Sequence, residues 1–226
     1  MKHSIFLLFL LLLIMPDTVA QKVPDGYILQ YGQNFNTNKA LGDFDFSDPA
    51  AWGISKSENN FFLQFNLRQT APSQSMIPAN RAILSKQIFG DFILDAEVMP
   101  LADSGFLPEF CIFLGMKDAE RSYMILLSAA SGADLQGIFL VKDGVVTKLP
   151  AAISSNGFKS NTWQKIRVER NIVKRTIRVF VNDLNHPVFH SKDYELVMGK
   201  IGFGSMNSAV CFDNIVIWAP TVIPEE

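Results

Sequence analysis

The sequence predicts an all-β fold of many short strands, a sandwich or a barrel, behind an N-terminal export leader. Three features carry that reading. Apolar residues alternate with polar ones at period two in several stretches. Turn-forming residues punctuate the chain at short intervals. After the leader, no window of a dozen residues shows a clean helical period.

The elements follow in order. Lys2 precedes an apolar run over residues 5–15, then Pro16, Asp17 and the string Thr18-Val19-Ala20. A cation, a short apolar core and a small final residue make a secretory signal, with cleavage after Ala20. The run is too short to span a bilayer comfortably. Residues 21–226 then form a single domain, its strands running from about 27 to 219, with a short polar tail. Trp52 opens an early strand. Over 61–67, Phe61, Leu63, Phe65 and Leu67 share one face while Gln64 and Asn66 take the other. Phe92, Leu94, Ala96 and Val98 repeat the pattern. Apolar runs at 110–114 and 123–127 follow. Residues 138–142 and 145–149 flank Asp143-Gly144, which supplies the positive φ angles of a tight hairpin. A second hairpin joins 163–170 to 175–181, and Asn182-Asp183 makes the next turn. Strands at 200–203 and 209–218 close the fold.

Twenty Lys and Arg stand against 22 Asp and Glu, a net charge of −2. This balance gives no electrostatic reason to expect nucleic acid or an anionic membrane surface as partner. After the leader, no segment is long and apolar enough for a membrane-spanning helix, and the mature chain is expected to be a monomer. The two cysteines, Cys111 and Cys211, both lie in apolar strand-like runs. Export permits a disulfide between them and does not require one; the alternative is two buried thiols.

The C-terminal half carries a resemblance. Trp163, Ile166, Val168 and Arg170, then Ile177, Val179 and Val181 before Asn182-Asp183, come first. Gly199-Lys200-Ile201-Gly202-Phe203 and Phe212-Asp213-Asn214-Ile215 follow. In that order they resemble the closing strands of bacterial concanavalin A-like jelly rolls. The set includes 3-keto-disaccharide hydrolase domains and their laminin G-like relatives. Arg81, Gly90-Asp91-Phe92, Cys111 to Asp118 and Tyr123 are similar to one secreted branch of it. The resemblance spans about residues 35–218. It implies a two-sheet antiparallel β-sandwich and a glycan site on a concave face. Related domains carry histidines near Tyr123 and just before Ile138; here those places read Met124-Ile125-Leu126 and Leu135-Gln136.

Glycosidases on such folds use two carboxylates. Asp95 and Glu97 are the catalytic candidates, side by side on one strand at about 7 Å. Aligned with the Glu-x-Asp-x-Glu strand of laminarinase-type enzymes, they put Ile93 where the nucleophile belongs. A solvated face of a half-buried strand explains them otherwise. His186 and His190 stand in no nucleophile motif and read as solvated loop residues. Gly199 to Gly204 lacks the following helix of a dinucleotide site. Trp163 is expected in the core through a bulge, and Trp218 at a half-exposed edge. The charges on Lys165, Arg167, Glu169, Lys174, Arg175 and Arg178 read as a solvated mixed-sign face. The ligand-binding candidates are Asp118, Arg121 and Tyr123 at a turn between two apolar strands, with Arg81 and Asp134 on neighbouring strands. An ordinary hairpin with an exposed ion pair is the competing account. Asp48 and Asp213 lack the spacing of a calcium loop, so no metal and no cofactor are expected.

The expected function is a secreted or periplasmic, non-catalytic carbohydrate-binding domain with an oligo- or polysaccharide partner. One alternative is a glycoside hydrolase-like enzyme of the 3-keto-disaccharide hydrolase type acting on an oligosaccharide. Another is a laminin G-like protein-interaction or structural domain.

Overall fold

The computed structural model describes residues 23–66, 76–102, 107–129, 136–153, 158–193, 195–220 and 223–224. The expected leader and Asp134 lie outside them.

Alternation in one strand orders the layers. In β7 (Phe92–Pro100), Phe92, Leu94, Ala96 and Val98 enter the main core, and Asp95 and Glu97 take the other face. On one side β7 pairs with β13 (Gln164–Asn171), and outward from there lie β14 (Thr176–Val181), β15 (Phe189–Lys192) and β12 (Ala151–Ile153). On the other it pairs with β17 (Val210–Ala219), followed by β4 (Asn60–Phe65) and β3 (Trp52–Ser57). The first strand, β1 (Ile28–Gln33), pairs with the far half of β17, so the two ends of the fold are neighbours.

The second sheet runs β11 (Val145–Lys148), β10 (Gly137–Lys142), β9 (Arg121–Ser128), β8 (Glu109–Asp118), β16 (Lys200–Ser205), β5 (Asn80–Leu84) and β2 (Phe44–Phe46). A small ribbon joins β6 (Gln87–Ile88) to β18 (Ile223–Pro224). Among the described residues the sheets have nine and seven strands, and every pairing is antiparallel. The two-sheet sandwich is therefore the realised architecture, and the barrel is not.

Aromatic rings fill the space between the sheets. Phe203 of one sheet meets Phe212 of the other at 5.3 Å between centroids, and Trp52 lies 5.2 Å from Phe65. Such ring pairs add about 0.5–1.5 kcal/mol each beyond burial. Both expected hairpins form. Asp143 and Gly144 take φ of +52° and +76°, the backbone of a type I′ turn. Gly199 permits close approach of β16 to β8: a Cβ there would sit 2.2 Å from the Gly115 carbonyl carbon.

One expectation is corrected, and one open alternative is decided. Trp163 does not turn into the core. It stays on the outer face of the nine-stranded sheet, half-buried and edge-on to Phe62 at 5.4 Å, because no bulge interrupts β13 before Arg167. Nor do Cys111 and Cys211 form a disulfide with each other. Val210 and Phe212 point into the core, so Cys211 points out of the nine-stranded sheet; Phe110 and Ile112 point in, so Cys111 points out of the other. The thiols stand on opposite outer faces, beyond two layers spaced about 10 Å apart, whereas a disulfide needs Cα atoms within about 7 Å.

Cys111 belongs to a second apolar cluster with Phe113, Met116, Met124, Leu126, Phe139 and Val141. The middle strands of the seven-stranded sheet are thus apolar on both faces, while the outer face of β7 and β13 is charged.

Candidate functional site

On that charged face lies a groove of about 1070 Å³. Its floor comes from β7, β13 and β14, and β17 closes one side. Alternation aims Asp95 and Glu97 of β7 outward, with Lys165, Arg167 and Glu169 of β13 beside them. Register places Arg167 directly opposite Asp95, and Lys165 opposite Glu97. Arg167 donates from Nε to Asp95 Oδ1 at 2.8 Å and from Nη2 to Oδ2 at 2.9 Å. This is a bidentate fork, the stronger class of charged hydrogen bond. The Arg167 side chain is 5 % exposed and that of Asp95 19 %, so the carboxylate is the member that faces the groove. On the next strand Arg178 pairs with Glu169.

A bulge in β17 supplies a polar group that alternation hides. The register shifts between Asp213 and Val216, and Asn214 takes φ of +47°. Its amide then donates to Glu97 Oε2 at 2.9 Å. Bulges commonly re-aim a side chain this way. Behind it, Asp213 stands opposite Glu97 in the ladder and accepts from Asn60 Nδ2 at 2.9 Å and from the Asn214 N–H at 2.7 Å. Burial, and secondarily the charge of Glu97, push the Asp213 carboxyl above its ordinary range.

Beyond the bulge, Val216 and Trp218 return to the outer face. Trp218 is half-buried opposite Ile93, and Tyr27 lies close by in the groove lining. The far rim carries Asn182, Leu184 and Asn185. The lining includes the acids Asp91, Asp95, Glu97 and Glu169 and the bases Lys165, Arg167, Lys174 and Arg178. Arg170 also borders the groove, but its guanidinium turns away to the Asp193 and Leu196 carbonyls, at 3.1 and 3.2 Å, and to the ring of Tyr123.

The residues singled out at the turn of β8 and β9 are brought together only in part. Asp118 and Arg121 form an exposed ion pair, with Arg121 Nε 2.7 Å from Oδ2. The hydrogen bonds from Arg121 hold the Asp118 carboxyl below its ordinary range. Arg81 reaches the turn, donating from Nη1 to the Ala119 carbonyl at 3.1 Å. Tyr123 does not join them. It points inward and is fully buried; its hydroxyl bonds Asp193 and accepts from the Leu196 N–H at 3.1 Å. Burial, then the Asp193 bond, push the phenol up to about 12. His186 is exposed beside Asp183, and His190 is half-buried on β15. Among the described residues no cluster of three or more His, Cys, Asp or Glu is arranged to hold a metal ion, and no helix is long and apolar enough to cross a membrane.

Asp95, Glu97, Arg167, Glu169 and Arg178 were each visible in the sequence; their convergence was not. Pairing of β7 with β13 joins positions about 70 residues apart, and alternation within one strand carries no trace of it.

No protein-family profile matches the chain, and no curated protein sequence matches it. Solved structures do. The carbohydrate-binding module CBM66 from Bacillus subtilis is similar at TM-score 0.59 and 13 % identity, over 78 % of this chain and 96 % of the module. A candidate glycosyl hydrolase from Parabacteroides distasonis matches at 0.55 and 14 %, over 82 % and 96 %. The lectin UEA-II, complexed with galactose, matches at 0.53 and 10 %, over 83 % and 96 %. At such identities the likeness speaks for the fold, and the fold is a concanavalin A-like jelly roll.

Proposed function

We propose that this chain is an exported, non-catalytic carbohydrate-binding sandwich whose sugar site is the groove on the nine-stranded sheet. The observation that carries the reading is the Asp95–Arg167 fork on the groove floor, flanked by Trp218. Sugars offer a C–H face to an aromatic ring and hydroxyls to fixed polar groups. This floor has both within one depression. The similarity to a carbohydrate-binding module and a lectin supports the reading. Export rests on the composition of residues 1–20. Sequencing the N-terminus of the secreted form tests it, with Gln21 expected first.

Glycan-array binding of the wild type, Trp218→Ala and Arg121→Ala tests the site. Loss in Trp218→Ala with retention in Arg121→Ala supports the groove. The opposite pattern moves the site to the turn of β8 and β9. No binding by the wild type favours a laminin G-like protein-interaction role. A hydrolase reading is favoured by one arrangement: Asp95 and Glu97 share the groove, and the buried Asp213 stands opposite Glu97 in the ladder. It requires release of reducing sugar that Glu97→Gln abolishes. Asp95 is committed to Arg167, which is why binding is the preferred reading.

A further inference from the structure

From the way the charges of the groove are partnered, we infer that the ligand is an acidic polysaccharide, its carboxylate or sulfate groups held by the side chains of Lys165 and Lys174. The inference rests on the carbohydrate reading of this groove.

Each carboxylate of the lining already has a donor. Arg167 holds both oxygens of Asp95, and Arg178 holds Glu169. The Asn214 amide bonds Glu97, and the Ile172 N–H bonds Asp91. The cations are not all engaged in return. Lys165 and Lys174 are exposed in the lining, and among the described residues neither ammonium has an ion-pair or hydrogen-bond partner. Lys165 stands opposite Glu97 in the ladder, yet Glu97 turns to Asn214. Arg178 is half-exposed and gives Glu169 only part of its donor set. The uncommitted charge of the groove is therefore positive.

Placement sets these two lysines apart from ordinary surface cations. Lys165 precedes the Asp95–Arg167 fork on β13, and Lys174 lies in the turn that follows the strand. Between them Arg178 stands opposite Glu169, four residues along β13 from Lys165 and about 13 Å away. A glycan chain lying along β13 meets one cation after another, whereas a single acidic monosaccharide meets one. An ammonium on a flexible stem is a mobile point charge, so it suits a carboxylate or a sulfate without demanding one orientation. Its bonds to either group are charge-assisted. The floor serves the uncharged part of the same ligand. Asp95 and Glu97 keep lone-pair capacity for sugar hydroxyls, and Trp218 offers a ring face.

The test is affinity electrophoresis in gels containing anionic polysaccharides (polygalacturonate, alginate, heparin, dextran sulfate) or neutral ones (methyl-esterified polygalacturonate, mannan, galactan, dextran). Two of the pairs share a backbone and differ in charge. The double variant Lys165→Gln, Lys174→Gln runs beside the wild type, each scaled to its own mobility in a polymer-free gel. A second double variant, Lys86→Gln with Lys117→Gln, removes the same charge from exposed positions outside the groove. Circular dichroism establishes that both keep the sheet spectrum. The expected result is retardation by at least one anionic polymer that weakens as salt screens it. The groove variant is expected to lose about tenfold or more in affinity, and the control to stay within about twofold. Retardation by polygalacturonate or alginate alone assigns a carboxylate, and by dextran sulfate alone a sulfate; either supports the inference. Retardation by neutral polymers only overturns it and leaves the carbohydrate reading standing. Anionic retardation that the groove variant retains, or that both variants lose equally, also overturns it. No retardation by any polymer overturns the carbohydrate reading together with the inference.

Discussion

Arg167 holds Asp95 through two parallel hydrogen bonds, 2.8 and 2.9 Å long, between directly opposed residues of β13 and β7. The pair joins the two central strands of the groove floor. Removing one member leaves the other charged, largely buried and uncompensated. Asp95→Ala is expected to destabilise the fold by about 3 kcal/mol. Replacing both with uncharged partners, as in Asp95→Asn with Arg167→Gln, is expected to cost markedly less. Urea unfolding of the two variants beside the wild type measures this, and equal losses would contradict it.

Tyr123 separates structure from binding. Its hydroxyl joins Asp193 and the Leu196 N–H, under the guanidinium of Arg170. Tyr123→Phe strips those two partners of a buried group, which is expected to lower stability by about 1–3 kcal/mol. Glycan binding is expected to stay within twofold of wild type. A binding loss larger than the fraction unfolded would return Tyr123 to the site.

The cysteines give a redox prediction. Since Cys111 and Cys211 face opposite sides of the sandwich, the melting temperature is expected to be the same with and without a thiol reductant. A thiol reagent is expected to label both sites in guanidinium and neither in the native protein. A reductant-sensitive Tm sinks the assignment.

Glu109 gives a pH prediction. Its Oε1 accepts from Ser205 Oγ at 2.7 Å and from the N–H groups of Met206 and Asn207 at 2.9 and 2.7 Å, while Oε2 is buried with no partner. Burial pushes its carboxyl above the ordinary value of 4.5, against those hydrogen bonds. The folded chain therefore binds the proton more tightly than the unfolded chain. The contribution of this group is fully present below about pH 4.5 and is lost as pH rises through the folded value. Glu109→Gln is expected to remove that decline. Chemical denaturation at a series of pH values reads the difference, and parallel wild-type and variant curves would refute it.

The strands were legible where one face meets core and the other meets water. In β7 the order Phe92, Leu94, Ala96, Val98 names the buried side without further help, and Ile177, Val179 and Val181 do the same in β14. Asp143-Gly144 announced its turn because few other residues tolerate two successive positive φ angles. The lining of the groove was harder to read. Asn214 reaches Glu97 only because a bulge displaces it, and a bulge leaves no mark in a period-two pattern. Tyr123 was misplaced for a related reason. It follows an exposed turn, and β9 is apolar on both faces, so nothing local distinguished inward from outward.

That double-sided burial divides the work of the molecule. In β8, β9 and β10 nearly every side chain is answerable to a neighbour on one face or the other. A substitution there has few harmless outcomes. The outer face of β7, β13 and β14 is held largely by side-chain pairs, the Asp95–Arg167 and Glu169–Arg178 bridges and the Asn214–Glu97 hydrogen bond, which can be exchanged in matched sets at less cost to the layer beneath. Among the described residues, that face is therefore where sequence change is tolerated most readily. The seven-stranded sheet serves as fixed backing, and the nine-stranded sheet offers the face that a lineage can rewrite at least cost.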